Sequence, residues 1–370
     1  MNDTRTTHEE TLAPGPGSAP ASGPAPGPTA TTGPAATPAL ASVWSATRVF
    51  FQKPWVRAVA PLVFVVIIGF VFSAHGTFMK WGTHRDMLRQ VAVTGILACG
   101  MTLVIITGGI DLAVGSILGF CAVFFSLLSI HDAWSAWAAI PLVLLAGSAL
   151  GLASGGLIAR FRMQAFIATL AMMVFARGLA KSISGGQKVS GAVLNPDGSY
   201  RYVDLPSVFA AIDHKILGEN VAIVTLIFLA CVALCWLLLA KLRWGRYLYA
   251  TGGNEDAARL SGIPTARVKL LAYGLSGLLS AVAGICQAVQ EQQGDPEAGS
   301  TYELSAIAIV VMGGTSLNGG RGGMLFTLVG AMTIGYLEKI LSINAVSEAS
   351  RLMLTGGIIV SAVLFQKVRR

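Results

Sequence analysis

Apolar residues in this chain gather into long blocks. Ala58–Phe78, Val91–Thr107, Leu112–Ile130, Trp134–Ala159 and Val221–Ala240 are nearly or wholly free of charge. At about 1.5 Å of rise per helical residue, about 20 such residues cross a hydrocarbon core of about 30 Å. Helices are the natural form there, because lipid offers no partner to an unpaired N–H or C=O. Further apolar blocks cover Met163–Ala176, Leu270–Gln287, Leu304–Leu317, Gly322–Leu337 and Leu352–Phe365. The pattern predicts an all-α polytopic membrane protein of about ten transmembrane helices, packed as a compact bundle with short broken helices.

Composition agrees. The chain is 54% hydrophobic and 12% charged, where soluble chains carry roughly a quarter charged residues. Residues 1–42 differ from the rest: they hold eight of the fifteen prolines, and Ala, Gly, Ser and Thr make up most of the remainder. Such a tract has too little apolar bulk to offset the entropy of ordering, so a disordered tail is expected. Glu9 and Glu10 stand where a signal peptide needs basic residues, so none is expected. Residues 43–370 form the expected transmembrane domain.

Charge orients the bundle. Lys53 and Arg57, Arg160 and Arg162, Lys241, Arg243 and Arg246, Arg321, and Lys367, Arg369 and Arg370 fall on alternate connections. Cationic loops stay cytoplasmic, which puts both termini on the cytoplasmic side. The opposite connections are more acidic, with Asp197, Asp204, Asp213 and Glu219 in one and Glu291, Asp295 and Glu297 in another. Lys80, Arg85 and Arg89 break the rule in the first external loop. The net charge of +8 belongs to this asymmetry, and nucleic acid is not an expected partner.

Small residues recur at helical spacing, Gly147, Gly151 and Gly155 on one ridge and Ser276, Ser280 and Gly284 on another. Ridges of this kind let helices approach closely in lipid. Cys99, Cys121, Cys231, Cys235 and Cys286 all lie in apolar blocks without His or carboxylate neighbours, so neither a metal site nor a disulfide framework is expected.

The connection over residues 242–269 carries a full set of short-helix signals. Asn254 can cap the first free N–H groups, Glu255 and Asp256 sit where the helix dipole favours anions, and Arg259 lies toward the end. Gly262 and Pro264 stop the helix. About eight residues span about 12 Å, too short to cross a membrane. This is either a docking element or an ordinary interfacial connection. Asp111, flanked by Ile106–Gly109 and Leu112–Val114, is costly in a membrane unless bonded. It can bind a sugar hydroxyl, carry protons, brace a helix break or cap the next helix. The run Gly313–Gly323 (GGTSLNGGRGG) lacks the Gly-Lys-Ser/Thr ending of a nucleotide loop and reads as a hinge or close backbone crossing. The pairs Gly108, Gly109 and Gly313, Gly314, with Gly319 and Gly320, are the expected helix-break glycines. No P-loop, metal-ligand cluster or nucleophile elbow occurs, so no enzyme is expected.

Gly100–Ser116 (GMTLVIITGGIDLAVGS) resembles a signature of the ribose/xylose/galactose-type ABC transporter permeases. Gln164–Leu170 (QAFIATL), Gly245–Asn254 (GRYLYATGGN), Ala258–Gly262 (ARLSG) and Tyr302–Ile307 (YELSAI), continuing into Gly313–Gly320, are similar to the same family in the same order. Ala113 stands where a serine is common, and Asn318 replaces a small residue. The resemblance implies a monosaccharide permease that works as a homodimer. A separate cytoplasmic ABC ATPase would hold ATP-Mg, this chain would bind no cofactor, and an external binding protein would deliver the sugar. It implies that Asn254, Glu255, Asp256, Ala257, Ala258, Arg259, Leu260, Ser261 and Gly262 form the ATPase-coupling helix. Thr107, Asp111, Gln164 and Asn318 are the polar residues expected along the translocation path. The rival reading is an ion-coupled secondary sugar transporter, which calls for membrane-embedded carboxylates beyond Asp111.

Overall fold

The computed structural model describes residues 54–194, 199–347, 349–354 and 356–357; the Pro/Ala-rich tail lies outside them. In order come α1 (Pro54–Val71), α2 (Trp81–Ile106), α3 (Val114–Ser126), α4 (Ala136–Arg160) and α5 (Ala165–Ser184). Then follow α6 (Ser207–Asp213), α7 (Ile223–Lys241), α8 (Arg243–Gly253) and α9 (Glu255–Leu260). Helices α10 (Thr265–Glu291), α11 (Tyr302–Met312) and α12 (Met324–Ile343) complete the series. Two small antiparallel hairpins, β1 (Ala192–Leu194) with β2 (Tyr200–Tyr202) and β3 (Lys215–Ile216) with β4 (Val221–Ala222), lie between α5 and α7.

Among the described residues, seven helices are long and apolar enough to cross a membrane: α2, α3 with its π-helical extension to His131, α4, α5, α7, α10 and α12. Two further apolar helices fall short, Ala58–Val71 within α1 and Tyr302–Met312 in α11. The predicted run Leu352–Phe365 lies mostly outside the described residues.

The run Ala58–Phe78 is not one helix. It ends at Val71, and Ala74, His75 and Gly76 turn the chain with positive φ. The Phe78 ring then folds back onto the face of α1 that Gly69 leaves bare. The exposed His131 ring lies 3.2 Å from the carbonyl of Ser190.

Burial sorts the helices into layers. In the most apolar windows of α2 and α3, 83% of residues are buried, against 28% in α5 and 33% in α4. Helices α2, α3 and α10 therefore make the centre. The outer helices keep Leu145, Val174, Phe175 and Leu234 exposed, as a lipid-facing surface does. The two small-residue ridges serve different contacts. Gly147, Gly151 and Gly155 press α4 onto α10, where a Cβ on Gly147 would stand 2.6 Å from that of Ala281. Ser276 and Gly284 turn toward α2 and α3, with a Cβ on Gly100 only 3.0 Å from the Cα of Ser276. Across the bundle the Thr102 and Thr327 hydroxyls pair at 2.7 Å, joining α2 to α12.

Two of the three basic residues that broke the charge rule are engaged by α6 and the connection that follows it. Arg85 donates to the carbonyl of Glu219 at 2.7 Å, and Arg89 forms an ion pair with Asp213. Beside them the Trp81 indole donates to Asn220 at 2.9 Å.

Candidate coupling site

Helix α9 forms because its ends are satisfied locally. The Asn254 side chain accepts the N–H of Ala257 at 2.9 Å. At the other end Gly262 takes φ +81°, and its N–H and that of Ile263 return to the carbonyls of Arg259 and Ala258. Six residues are helical, fewer than the eight that the sequence pattern suggests. Asp256 pairs with Arg259 within the helix, and Glu255 meets Lys269 of α10 at 2.7 Å. Ala258 is buried, while Leu260 is 88% exposed on the side that also carries Asp256 and Ala257. A rigid two-ended cap thus presents a leucine and a carboxylate away from the bundle.

The sequence reading missed α8. Its buried residues are Gly245, Leu248 and Thr251, a helical spacing with Arg243 and Arg246 off that face. That spacing is readable in the sequence, although the strongest helix signals of the connection fall on Asn254–Pro264. Helix α8 ends in Gly252 and Gly253, and there three backbone segments cross. A Cβ on Gly252 would collide with the carbonyl of Ile106 and lie 2.8 Å from the amide nitrogen of Gly320. A Cβ on Gly319, which sits at φ +81°, would be 2.7 Å from the Gly252 carbonyl and 2.9 Å from the Cα of Gly108. The Gly320 N–H donates to Ile106 at 2.9 Å, and the Tyr249 hydroxyl of α8 donates to Gly322 at 2.9 Å. The run Gly313–Gly323 is therefore a backbone crossing that ties α8 and α9 to the ends of α2 and α11. Gly313 and Gly314 end α11 and lead into it, Gly314 at φ +88°.

A family model described as the branched-chain amino acid transport system / permease component matches residues 84–363. The chain is 39% identical over 319 residues to the ribose import permease protein RbsC of Escherichia coli (strain K12), covering 86% of this chain and 96% of that one. It is 40% identical over 305 residues to RbsC of Bacillus subtilis (strain 168), with 82% and 90% covered. The L-arabinose transport system permease protein AraH of Escherichia coli (strain K12) is 34% identical over 320 residues, with 86% and 93% covered. No solved structure matches the chain.

The chain belongs to this permease family. It is a multi-pass membrane protein whose relatives are transport permeases rather than enzymes.

In the permease, Asp111 sits in the break between α2 and α3 and is 1% exposed. One carboxylate oxygen accepts the N–H of Ala113 at 3.0 Å, and the other accepts the Ser276 hydroxyl of α10 at 2.8 Å. Gly108 opens the break with φ +81°, and the Tyr273 hydroxyl donates to Ile110 at 3.3 Å beside Gly109. Asp111 thus braces a broken helix against α10. The Thr107 hydroxyl donates to Val104 in its own helix at 2.7 Å. Asn318 is exposed in the crossing loop, next to Gly319. Gln164 is exposed at the N-terminal cap position of α5, without a capping bond from its side chain. Asp111→Ala is expected to destabilise the permease by about 2–4 kcal/mol, because a buried hydroxyl and a buried N–H lose their acceptor. Thermal unfolding in detergent checks this, and Asp111→Asn, which keeps an acceptor oxygen, should recover part of the loss.

Arg177 also escaped the sequence reading, since it ends an apolar block. It points from α5 onto the carbonyls of Pro296 and Ala298, in the connection between α10 and α11.

Proposed function

We propose that this chain is the membrane-spanning subunit of an ABC importer that translocates a monosaccharide, with energy from ATP-Mg on a separate cytoplasmic ATPase. The observation that carries the reading is α9: a helix too short to span, capped at both ends, seated on the glycine crossing and presenting Leu260. In this reading α9 faces the cytoplasm, both termini are cytoplasmic in a bacterial inner membrane, and two copies pair around the path. An external binding protein delivers the sugar. The relatives named for ribose and L-arabinose make pentoses the first substrates to test. Helix α1, the short α11 and the run 352–365 would bring the membrane segments to about ten. This chain binds no cofactor of its own.

Reconstitution with and without the candidate ATPase tests the proposal. Uptake of ribose or arabinose that needs both the ATPase and ATP is the expected result. Uptake driven by an ion gradient without the ATPase would establish the secondary-transporter reading instead.

A finer test exchanges the ion pair on α9. Asp256→Arg with Arg259→Asp keeps the two charges adjacent but inverts the surface they present. The i,i+3 pair stabilises the helix by only about 0.2–0.5 kcal/mol, and the dipole penalty for the exchange is about 0.3–1 kcal/mol per charge. The permease should stay folded while its affinity for the ATPase drops. Unchanged affinity and transport would count against this face as the contact.

A further inference from the structure

The connection between α10 and α11, residues 293–301, is a strap lying across α3 and α5. It is bounded by two non-glycine residues in the left-handed region, Gln292 at φ +56° and Thr301 at φ +69°. A β-branched residue there is strained, and such strain persists only where surrounding contacts hold it. On one side the strap rests on glycines of α3. A Cβ on Gly119 would be 2.6 Å from the Ala298 carbonyl, and one on Gly115 would strike the carbonyl of Gly299. On the other side it is fastened to α5 and the residues that follow it. Arg177 donates to Pro296 and, at 2.8 Å, to Ala298. Lys181 pairs with Glu297 at 2.6 Å and Lys188 with Asp295 at 2.9 Å. Val189 and Gly294 exchange two backbone hydrogen bonds.

We infer that Arg177 is the positioning residue of a substrate gate, the strap 293–301, which leaves α5 during each transport cycle. This deepens the proposed function and rests on it, since the drive is assigned to α9. Three observations support movement over fixed packing. An arginine on a membrane-spanning helix is costly, and those that persist mark functional pathways by default. The two lysine pairs are partly exposed, side chains of Lys181 and Glu297 being 50% and 59% accessible, and such pairs are weak fastenings. The strained ends favour release once the fastenings part.

The strap is also mechanically connected to the coupling site. It leads into α11, a rod of 11 residues whose far end enters the Gly313–Gly323 crossing. A shift of α8 and α9 therefore reaches the strap through one rigid helix about 16 Å long. The fastened and released positions are the two states that such coupling requires.

The test uses Lys181→Cys with Glu297→Cys in the full permease–ATPase complex; the five native cysteines are buried. A reducible bifunctional thiol reagent joins the two positions. ATP-driven uptake should fall at least tenfold on cross-linking and return when the linker is cleaved. Equal uptake in both forms would overturn the gate, because a static strap loses nothing when tied. Spin labels at the same positions should separate when vanadate traps the ATPase with ADP, and an unchanged distance would also overturn it. In the single variants, Arg177→Lys should retain part of the uptake that Arg177→Gln loses. ATPase association, measured separately, stands apart from the strap: its failure in the unmodified permease would sink the importer reading itself and the gate with it.

Discussion

Gly252→Val abolishes ATP-driven uptake and lowers the thermal stability of the permease: this is the largest single-residue effect expected outside the core. A β-carbon at this position meets the Ile106 carbonyl and the Gly320 nitrogen, both backbone atoms. No rotamer change relieves the clash, so a segment must move. Overpacking of this kind costs about 1–3 kcal/mol, and losing the Gly320-to-Ile106 hydrogen bond adds about 1 kcal/mol. The functional loss should exceed what the stability change explains, because the displaced segment carries α9. Gly253→Ala is the control. A β-carbon there meets nothing within 4 Å, so the neighbouring glycine should tolerate substitution. Thermal unfolding and uptake measured on both variants decide the matter; normal transport by Gly252→Val would show that the crossing does not hold the coupling element in place.

The second large effect is expected at Leu260. Its side chain is 88% exposed on a helix whose caps are otherwise complete, so Leu260→Asp removes almost no contact within the permease. Surface substitutions away from structural features stay within about 0.5 kcal/mol of neutral. If the leucine enters a pocket of the ATPase, burying a carboxylate there costs about 2 kcal/mol or more, roughly a 30-fold loss of affinity. Titrating the ATPase against permease in nanodiscs reads this directly. A variant with an unchanged thermal midpoint and a weakened complex supports the contact, whereas unchanged affinity removes Leu260 from it.

Part of this architecture was open to a reader of the sequence, and the reason is locality. The cap of α9 depends on Asn254 reaching an N–H three residues on and on Gly262 adopting a left-handed turn. Both follow from residue type and spacing alone. The spanning helices likewise follow from charge-free runs, since lipid forces any such run to satisfy its own backbone. The family was also legible, through five ordered motifs that all fall within the residues 84–363 matched by the family model.

What stayed hidden depends on residues distant in sequence. The run Ala58–Phe78 looks continuous, yet Phe78 leaves it to cover Gly69 and pack beside Tyr336 of α12. Arg85 and Arg89 looked like exceptions to the charge rule until Glu219 and Asp213 came to them across more than 120 positions. Asp111 had four local readings, capping of the next helix foremost, and its bond from Ser276 of α10, which braces the break, was visible to none of them. The glycines at 108 and 319 each read as a break in isolation, and Gly252 carried no reading of its own. Their meeting at one point is a property of three backbones, and no pattern of apolar and polar positions encodes it. Thus the sequence alone determined class, helix material, family and the short capped helix, because those rest on neighbours a few residues apart and on the demands of lipid. Tertiary structure alone decided which breaks touch, which charges are paired and which segment Arg177 holds, because each of those is settled by side chains and backbones that meet only after folding.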